Sequence, residues 1–109
     1  MSLALQSPAP PPASPIPMVP RLTVVIPAYN RLSELIIATA SLFRTGQKPG
    51  LSGQLEIIVQ DDCSDSYPVM EVLPAVFQPA RNTERLGFSG NCNAGAMRAH
   101  GDILLFLNQ

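Results

Sequence analysis

Two adjacent carboxylates, Asp61 and Asp62, close the apolar, β-branched run LEIIVQ (55–60) within the stretch LEIIVQDDCSD. A carboxylate beside a core is costly unless it is partnered, so the doublet calls for a helix N-terminus, a metal ion or a donor group on a ligand. An ionised carboxylate only accepts hydrogen bonds, which suits the N–H of a base or an amide. A purely local alternative is that Asp61, Asp62, Ser64 or Asp65 caps the short helix expected next.

Other candidate groups are weaker. GFSGNCNAG (87–95) carries three glycines and reads equally as a phosphate cradle or as a tight entry turn with close helix packing. His100 is the sole histidine and stands beside Gly101 at a predicted helix C-terminus, where an imidazolium suits the helix dipole; it is read as structural. Cys63 and Cys92 form no CxxC pair and read as reduced thiols, although spacing alone leaves a disulfide open. No GxGxxG follows the first predicted strand, no Gly-Lys pair offers a Walker A loop, and no serine sits in a GxSxG elbow.

The elements that must carry these groups alternate. LTVVI (22–26) is a buried parallel strand stopped by Pro27. In residues 30–46, Leu32, Leu35, Ile36, Thr39, Leu42 and Phe43 recur at three- and four-residue spacing, which predicts a helix capped by Asn30 and ended by Gly46. LEIIVQ is the second strand, and a short helix runs from about Tyr67 to Pro74. AVFQ (75–78) is a brief third strand. A small-residue helix over 87–101 can lie close to a sheet through Ala94, Gly95, Ala96 and Ala99, and Asp102 is a turn residue before a fourth strand, DILLFLN (102–108). Strand–helix alternation of this kind predicts an α/β fold: an open, mostly parallel, Rossmann-like sheet with flanking helices, truncated after the fourth strand. The expectation is that the chain is the N-terminal piece of a longer protein.

Bulk properties narrow the function. The 109 residues carry a formal net charge of −1, and the seven Lys and Arg are dispersed, which argues against a nucleic-acid partner. No apolar run approaches a membrane span, and the N-terminus reads as no secretory signal. Residues 1–20 hold seven of the twelve prolines and no charge, and are read as a disordered, polyproline-like tail.

VVIPAYNR after the first strand, IIVQDDCSD after the second, and NTERLGFSGNCNAGAMRAHGDILLFLNQ at the end together resemble family 2 glycosyltransferases of the GT-A fold. The likeness covers residues 22–109, making 21–109 the N-terminal part of such a domain, and leans towards rhamnosyltransferase-like members of polysaccharide biosynthesis. It implies an enzyme that transfers a sugar, with inversion, from a UDP- or dTDP-type nucleotide-diphosphate donor to a saccharide or lipid-linked acceptor. It also implies a cytoplasmic protein, or one peripherally associated with the inner face of the membrane. By this resemblance Asp62 accepts a hydrogen bond from the donor's base, Pro27 and Ala28 offer carbonyls to the base edge, Tyr29 stacks on it, and Asn93 lines the donor wall. Asp61 orients the turn or meets a helix N-terminus, and Arg31 is read as solvated. The family's divalent-cation motif, for Mg²⁺ or Mn²⁺, would follow Gln109, and its catalytic base would lie further on. No metal ligand or catalytic residue is therefore assigned within the chain, and the fragment alone is expected to be inactive.

Two other readings compete. A non-catalytic α/β fragment or interaction module fits the same elements. A sugar nucleotidyltransferase would show a glycine-rich, basic loop after the first strand, which PAYNR is not.

Overall fold

A computed structural model describes residues 20–108; the proline-rich stretch, apart from Pro20, lies outside the described residues. Strands β1 (Leu22–Ala28), β2 (Leu55–Asp61), β3 (Pro79–Arg81) and β4 (Ile103–Phe106) form one all-parallel sheet in the order β3-β2-β1-β4. Helices α1 (Leu32–Gly46), α2 (Val69–Val72) and α3 (Gly87–Ala96) connect them. This is the α/β parallel sheet with flanking helices expected from the alternating pattern. The chain steps outward from β1 to β3 and then returns to the far side of β1, so the order reverses between β1 and β4. Ligand crevices of open α/β sheets form at such a reversal, beyond the carboxyl ends of the strands.

Successive strand residues face opposite sides of the sheet, and the two sides differ in chemistry. Val24, Ile26 and Ala28 of β1 and Ile57 and Val59 of β2 pack with Leu35, Val69, Leu73 and Phe77 into the aliphatic core beneath α1 and α2. The opposite face carries Thr23, Val25, Gln60 and Asp62, and α3 lies on it. A Cβ at Gly95 would stand 2.5 Å from Val25 Cγ1 and 3.3 Å from Gln60 Cβ, so the small-residue stretch does bring this helix close.

Several boundaries differ from expectation. β1 runs through Pro27 to Ala28 rather than stopping at Ile26. Leu107 N–H donates to Val25 O on the β4 side and Asp62 N–H to Ala28 O on the β2 side, so the imino nitrogen of Pro27 points past the end of β4, where no ladder bond requires it. AVF is not a strand. Residues Ala75–Phe77 form a 3₁₀ turn that seats Phe77 in the core, Gln78 turns left-handed at φ 46°, and the third strand starts at Pro79. α1 begins at Leu32, because Asn30 and Arg31 both adopt left-handed backbone (φ 53° and 55°), and Gly46 is its last residue rather than the one beyond it. Ile36 and Phe43, read as core-facing, are 46% and 42% exposed; Phe43 still meets Phe77 edge-on at 6.2 Å. α2 is a single turn, α3 ends at Ala96, and β4 is the sheet's edge among the described residues, with Ile103–Phe106 all exposed.

Candidate nucleoside-binding cleft

The loops after β1 and β2 are sewn together by Asn30. Its Oδ1 accepts from Asp65 N (3.1 Å), Ser66 N (3.3 Å) and Ser66 Oγ (2.9 Å), and its own N–H donates to Ser64 Oγ at 2.6 Å. Asn30 therefore caps the β2 loop rather than α1. Its left-handed backbone is one that asparagine tolerates better than most residues.

The two carboxylates of the doublet part company. Asp61 is fully buried and turns back on its own loop, accepting from Ser64 N (2.9 Å) and Ser64 Oγ, with Arg81 at 3.7 Å. Of the two roles expected for it, it takes the first and orients the turn. Asp62 points the other way, onto the start of α3. Its Oδ1 accepts from Leu86 N (2.7 Å) and Asn82 Nδ2 (3.0 Å), and its Oδ2 from Gly87 N (2.9 Å) and Arg85 Nε (3.2 Å). The first turn of α3 has no cap from its own sequence, and Asp62 supplies one from the neighbouring strand, with its charge on the positive end of the helix. Burial pushes the Asp62 carboxyl up, but the Leu86 amide, Asn82, the Gly87 amide and Arg85 outweigh it and hold the group below its ordinary value. The helix N-terminus, one of the three partners the sequence leaves open, meets Asp62 directly.

Beside this cap, at the carboxyl ends of β1 and β2, lies a cleft of about 340 Å³. Pro27, Ala28, Tyr29 and Asp62 line it from the strand ends, Arg85, Phe88 and Asn91 from α3 and its lead-in, and Arg31 and Asn108 at its margin. Four of the five residues expected to contact the donor are thus brought together. Asn93 is not among the lining residues; it is exposed on the second turn of α3, and Asn91 takes the inward position. Asn91 is 3% exposed and donates to Gln60 O (3.0 Å) and Ala28 O (3.4 Å), fixing the carbonyl layer at the cleft floor. Arg85 is the residue that sequence reasoning misses most. Its guanidinium carbon stands 3.6 Å from the Tyr29 ring centroid while its Nε reaches Asp62, and its side chain is 55% exposed. The available signal was its position four residues after the strand end at Arg81, in a lead-in to a helix that needed a cap.

A second cleft, of about 310 Å³, opens at the opposite end of the sheet around Gly46, Leu55 and Glu56. There His100, which lies beyond α3 rather than on its last turn, donates its N–H to Glu56 Oε1 (2.8 Å) and sets Nδ1 2.7 Å from Oε2. Glu56 also accepts from Thr23 Oγ1 and Gln78 Nε2. Burial pushes its carboxyl up, yet these bonds, those from His100 first, lower it from 4.5 to about 2. The pair ties the end of α3 to the sheet and is structural. Both thiols are free. Among the described residues no group of three or more His, Cys, Asp or Glu side chains could hold a metal ion. The cation motif expected after Gln109 lies outside the described residues. No described helix is long and apolar enough to cross a membrane.

Residues 23–109 match the family model for glycosyl transferase family 2. A Haemophilus influenzae protein named as an uncharacterized glycosyltransferase is 33% identical over 90 residues, covering 80% of this chain. The chain spans 28% of the length of that relative. No solved structure matches the chain.

Proposed function

Because the chain belongs to glycosyl transferase family 2, we propose that residues 21–109 are the donor-binding part of a GT-A glycosyltransferase, and that the cleft beside Asp62 receives the nucleoside of a UDP- or dTDP-type sugar donor. The acceptor on this reading is a glycan or lipid-linked saccharide, met in the cytoplasm or at the inner face of the membrane. One observation carries it: an aromatic face, Tyr29, and an ionised carboxylate held rigidly by a helix N-terminus meet at the strand-order reversal, against a floor of backbone carbonyls.

The geometry sets a condition on binding. Asp62 already receives four donors, two on each oxygen, so a base N–H must replace one of them. The two backbone amides are fixed in α3, and Asn82 is buried. Arg85 makes the longest of the four contacts, through a long side chain that is half in solvent, so it is the one that yields. The same movement uncovers the Tyr29 ring for stacking. A guanidinium released there stands at the mouth of the cleft with the charge that a diphosphate requires.

A divalent cation, when bound by the whole enzyme, would neutralise the leaving diphosphate. The described residues provide no ligand cluster for it, and Asp62 has no open lone pair to offer, so no step is assigned to it here. No catalytic residue is assigned within the chain.

Isothermal calorimetry of the full chain with UDP, dTDP and ADP tests the proposal. Binding of UDP or dTDP in preference to ADP is expected, with Tyr29→Ala weakening it roughly tenfold or more, the scale of one lost stacking contact. A folded chain that binds no pyrimidine nucleotide would return the reading to a non-catalytic α/β module, for which the cap at Asp62 would be purely structural.

A further inference from the structure

Beneath α3 runs a buried chain of hydrogen bonds with a single direction. Arg98, just past the end of the helix, donates Nε–H to Gln60 Oε1 at 2.8 Å. Gln60 donates Nε2–H to Asn82 Oδ1 at 2.7 Å, and Asn82 donates Nδ2–H both to Asp62 Oδ1 (3.0 Å) and to Asn91 Oδ1 (2.8 Å). Gln60, Asn82, Asn91 and Asp62 are 6%, 9%, 3% and 2% exposed.

The end groups dictate the sense of the chain. A guanidinium has donors and no acceptor, and an ionised carboxylate has acceptors and no donor. Gln60 must therefore turn its oxygen to Arg98 and its NH₂ to Asn82, and Asn82 must turn its oxygen to Gln60 and its NH₂ to Asp62. Flipping either amide would set donor against donor or acceptor against acceptor in a buried site, where an unmet polar group is expensive. Arg98 is itself pinned by bonds to Val59 O (3.1 Å) and Gln78 O (2.9 Å), so the starting point does not drift.

We infer that Gln60 and Asn82 are positioning residues, which transmit the fixed orientation of Arg98 through two amides to the carboxylate of Asp62. The relay lies antiparallel to the dipole of α3, with the cation near its carboxyl end and the anion at its amino end, so both charges suit the helix they bracket. Its consequence for ligand binding rests on the reading of Asp62 as the base-accepting carboxylate; the relay itself does not.

The test reads Asp62 directly, by ¹³C NMR titration of its side-chain carboxyl in the full chain. The other charged or titratable groups around it are Arg85, which bonds to it, Asp61 with its partner Arg81, the adjoining Cys63, Tyr29 beneath Arg85, and Arg31 at the margin of the same cleft. Gln60→Glu keeps the shape and a partner for Arg98 but presents an oxygen to Asn82, forcing that amide to turn. Gln60→Met adds no charge and breaks the relay by removing both the acceptor for Arg98 and the donor to Asn82. Both should move the Asp62 midpoint upward by about one pH unit. A merely structural role would lower thermal stability and leave the midpoint where it was, and an unmoved midpoint in either folded variant overturns the relay. Should both variants fail to fold, the wild-type protein still decides. Side-chain amide protons of Gln60 and Asn82 should be slow to exchange and show couplings across their hydrogen bonds; fast exchange would overturn the inference. A nucleoside arm follows the acid limb of UDP affinity in the same variants, which should shift with Asp62. A chain that binds no UDP but shows the titration shift keeps the relay and removes the donor-site reading.

Discussion

Arg85 covers Tyr29: the guanidinium carbon lies 3.6 Å from the ring centroid, on the surface that a nucleobase would use. An exposed cation–π contact is worth about 0.5–1 kcal/mol, and although Asp62 is buried its carboxylate keeps three other donors when the half-exposed Arg85 leaves, so the arrangement is a modest barrier to ligand entry. Arg85→Ala should therefore bind uridine, which has no phosphate, a few-fold more tightly, and UDP more weakly relative to uridine than the wild type does. Calorimetry with the two ligands checks this. Weaker uridine binding would mean that the base does not displace the guanidinium.

Asp62→Ala removes the cap of α3 and leaves one N–H of the buried Asn82 amide without its acceptor, the other still donating to Asn91. A lost cap costs about 1 kcal/mol and a buried unmet donor about 1–3 kcal/mol, which together predict about 2–4 kcal/mol of lost stability. Asp62→Asn retains one acceptor oxygen and should lose about half as much. Urea denaturation at neutral pH measures both, and an Asp62→Ala protein as stable as wild type would show that α3 does not depend on this carboxylate.

The acid limb of stability should be dominated by Glu56. Its carboxyl is lowered from 4.5 to about 2, so the folded state holds the ionised form more tightly than the unfolded state does. The resulting stabilisation is full above about pH 4.5 and disappears as pH falls towards about 2, on the order of 3 kcal/mol in all. Asp62 is shifted in the same direction and adds to the slope. Denaturation midpoints taken across pH 2–6 should fall steeply in the wild type and less so in Glu56→Gln.

Much of this arrangement is legible in local sequence. Val24 and Ile26 declare a strand by their unbroken apolar run, and Leu35 and Thr39 declare one helical face by their spacing, because both signals arise within a few residues of chain. The acidic doublet is legible as a strand end for the same reason. The partners of Asp62 are not, since Asn82, Arg85, Leu86 and Gly87 lie twenty or more positions away and reach it only once β3 has paired with β2. Asn91 and Asn93 look alike in a small-residue run, and only the close approach at Gly95 decides which of them faces inward. The third strand is misplaced because the apolar AVF has strand-like composition, whereas Pro74 and a left-handed Gln78 make it a turn.

That approach at Gly95 leaves no room for a methyl group. Gly95→Ala would press a Cβ to 2.5 Å from the branched Val25 side chain, and overpacking of this kind costs about 1–3 kcal/mol. Asn93→Ala, on the exposed side of the same helix, should change stability by no more than about 0.5 kcal/mol and leave UDP affinity unchanged. Parallel thermal melts and calorimetry of the two variants distinguish them, and a large loss of UDP affinity in Asn93→Ala would move the donor wall to the outer face of α3.

Among the described residues β4 is the edge strand and its four residues are exposed, and apolar side chains on such an edge favour pairing with another chain in the 109-residue protein. Leu104→Lys should reduce self-association in sedimentation experiments on the full chain. An unchanged, wholly monomeric wild type would remove this expectation.

Pro27 gives the cleft its shape by what it withholds. After Leu107 N–H bonds Val25 O, the next rung of a parallel ladder would run from the amide of residue 27 to the carbonyl of residue 107, and an imino acid has no hydrogen to offer. The two strands consequently unzip at that point, and Asn108 peels away from β1 to become a rim of the opening. A ring that interrupts one hydrogen bond thus ends the pairing of β1 with the edge strand β4 beside the cleft, where Pro27 and Asn108 both line the opening.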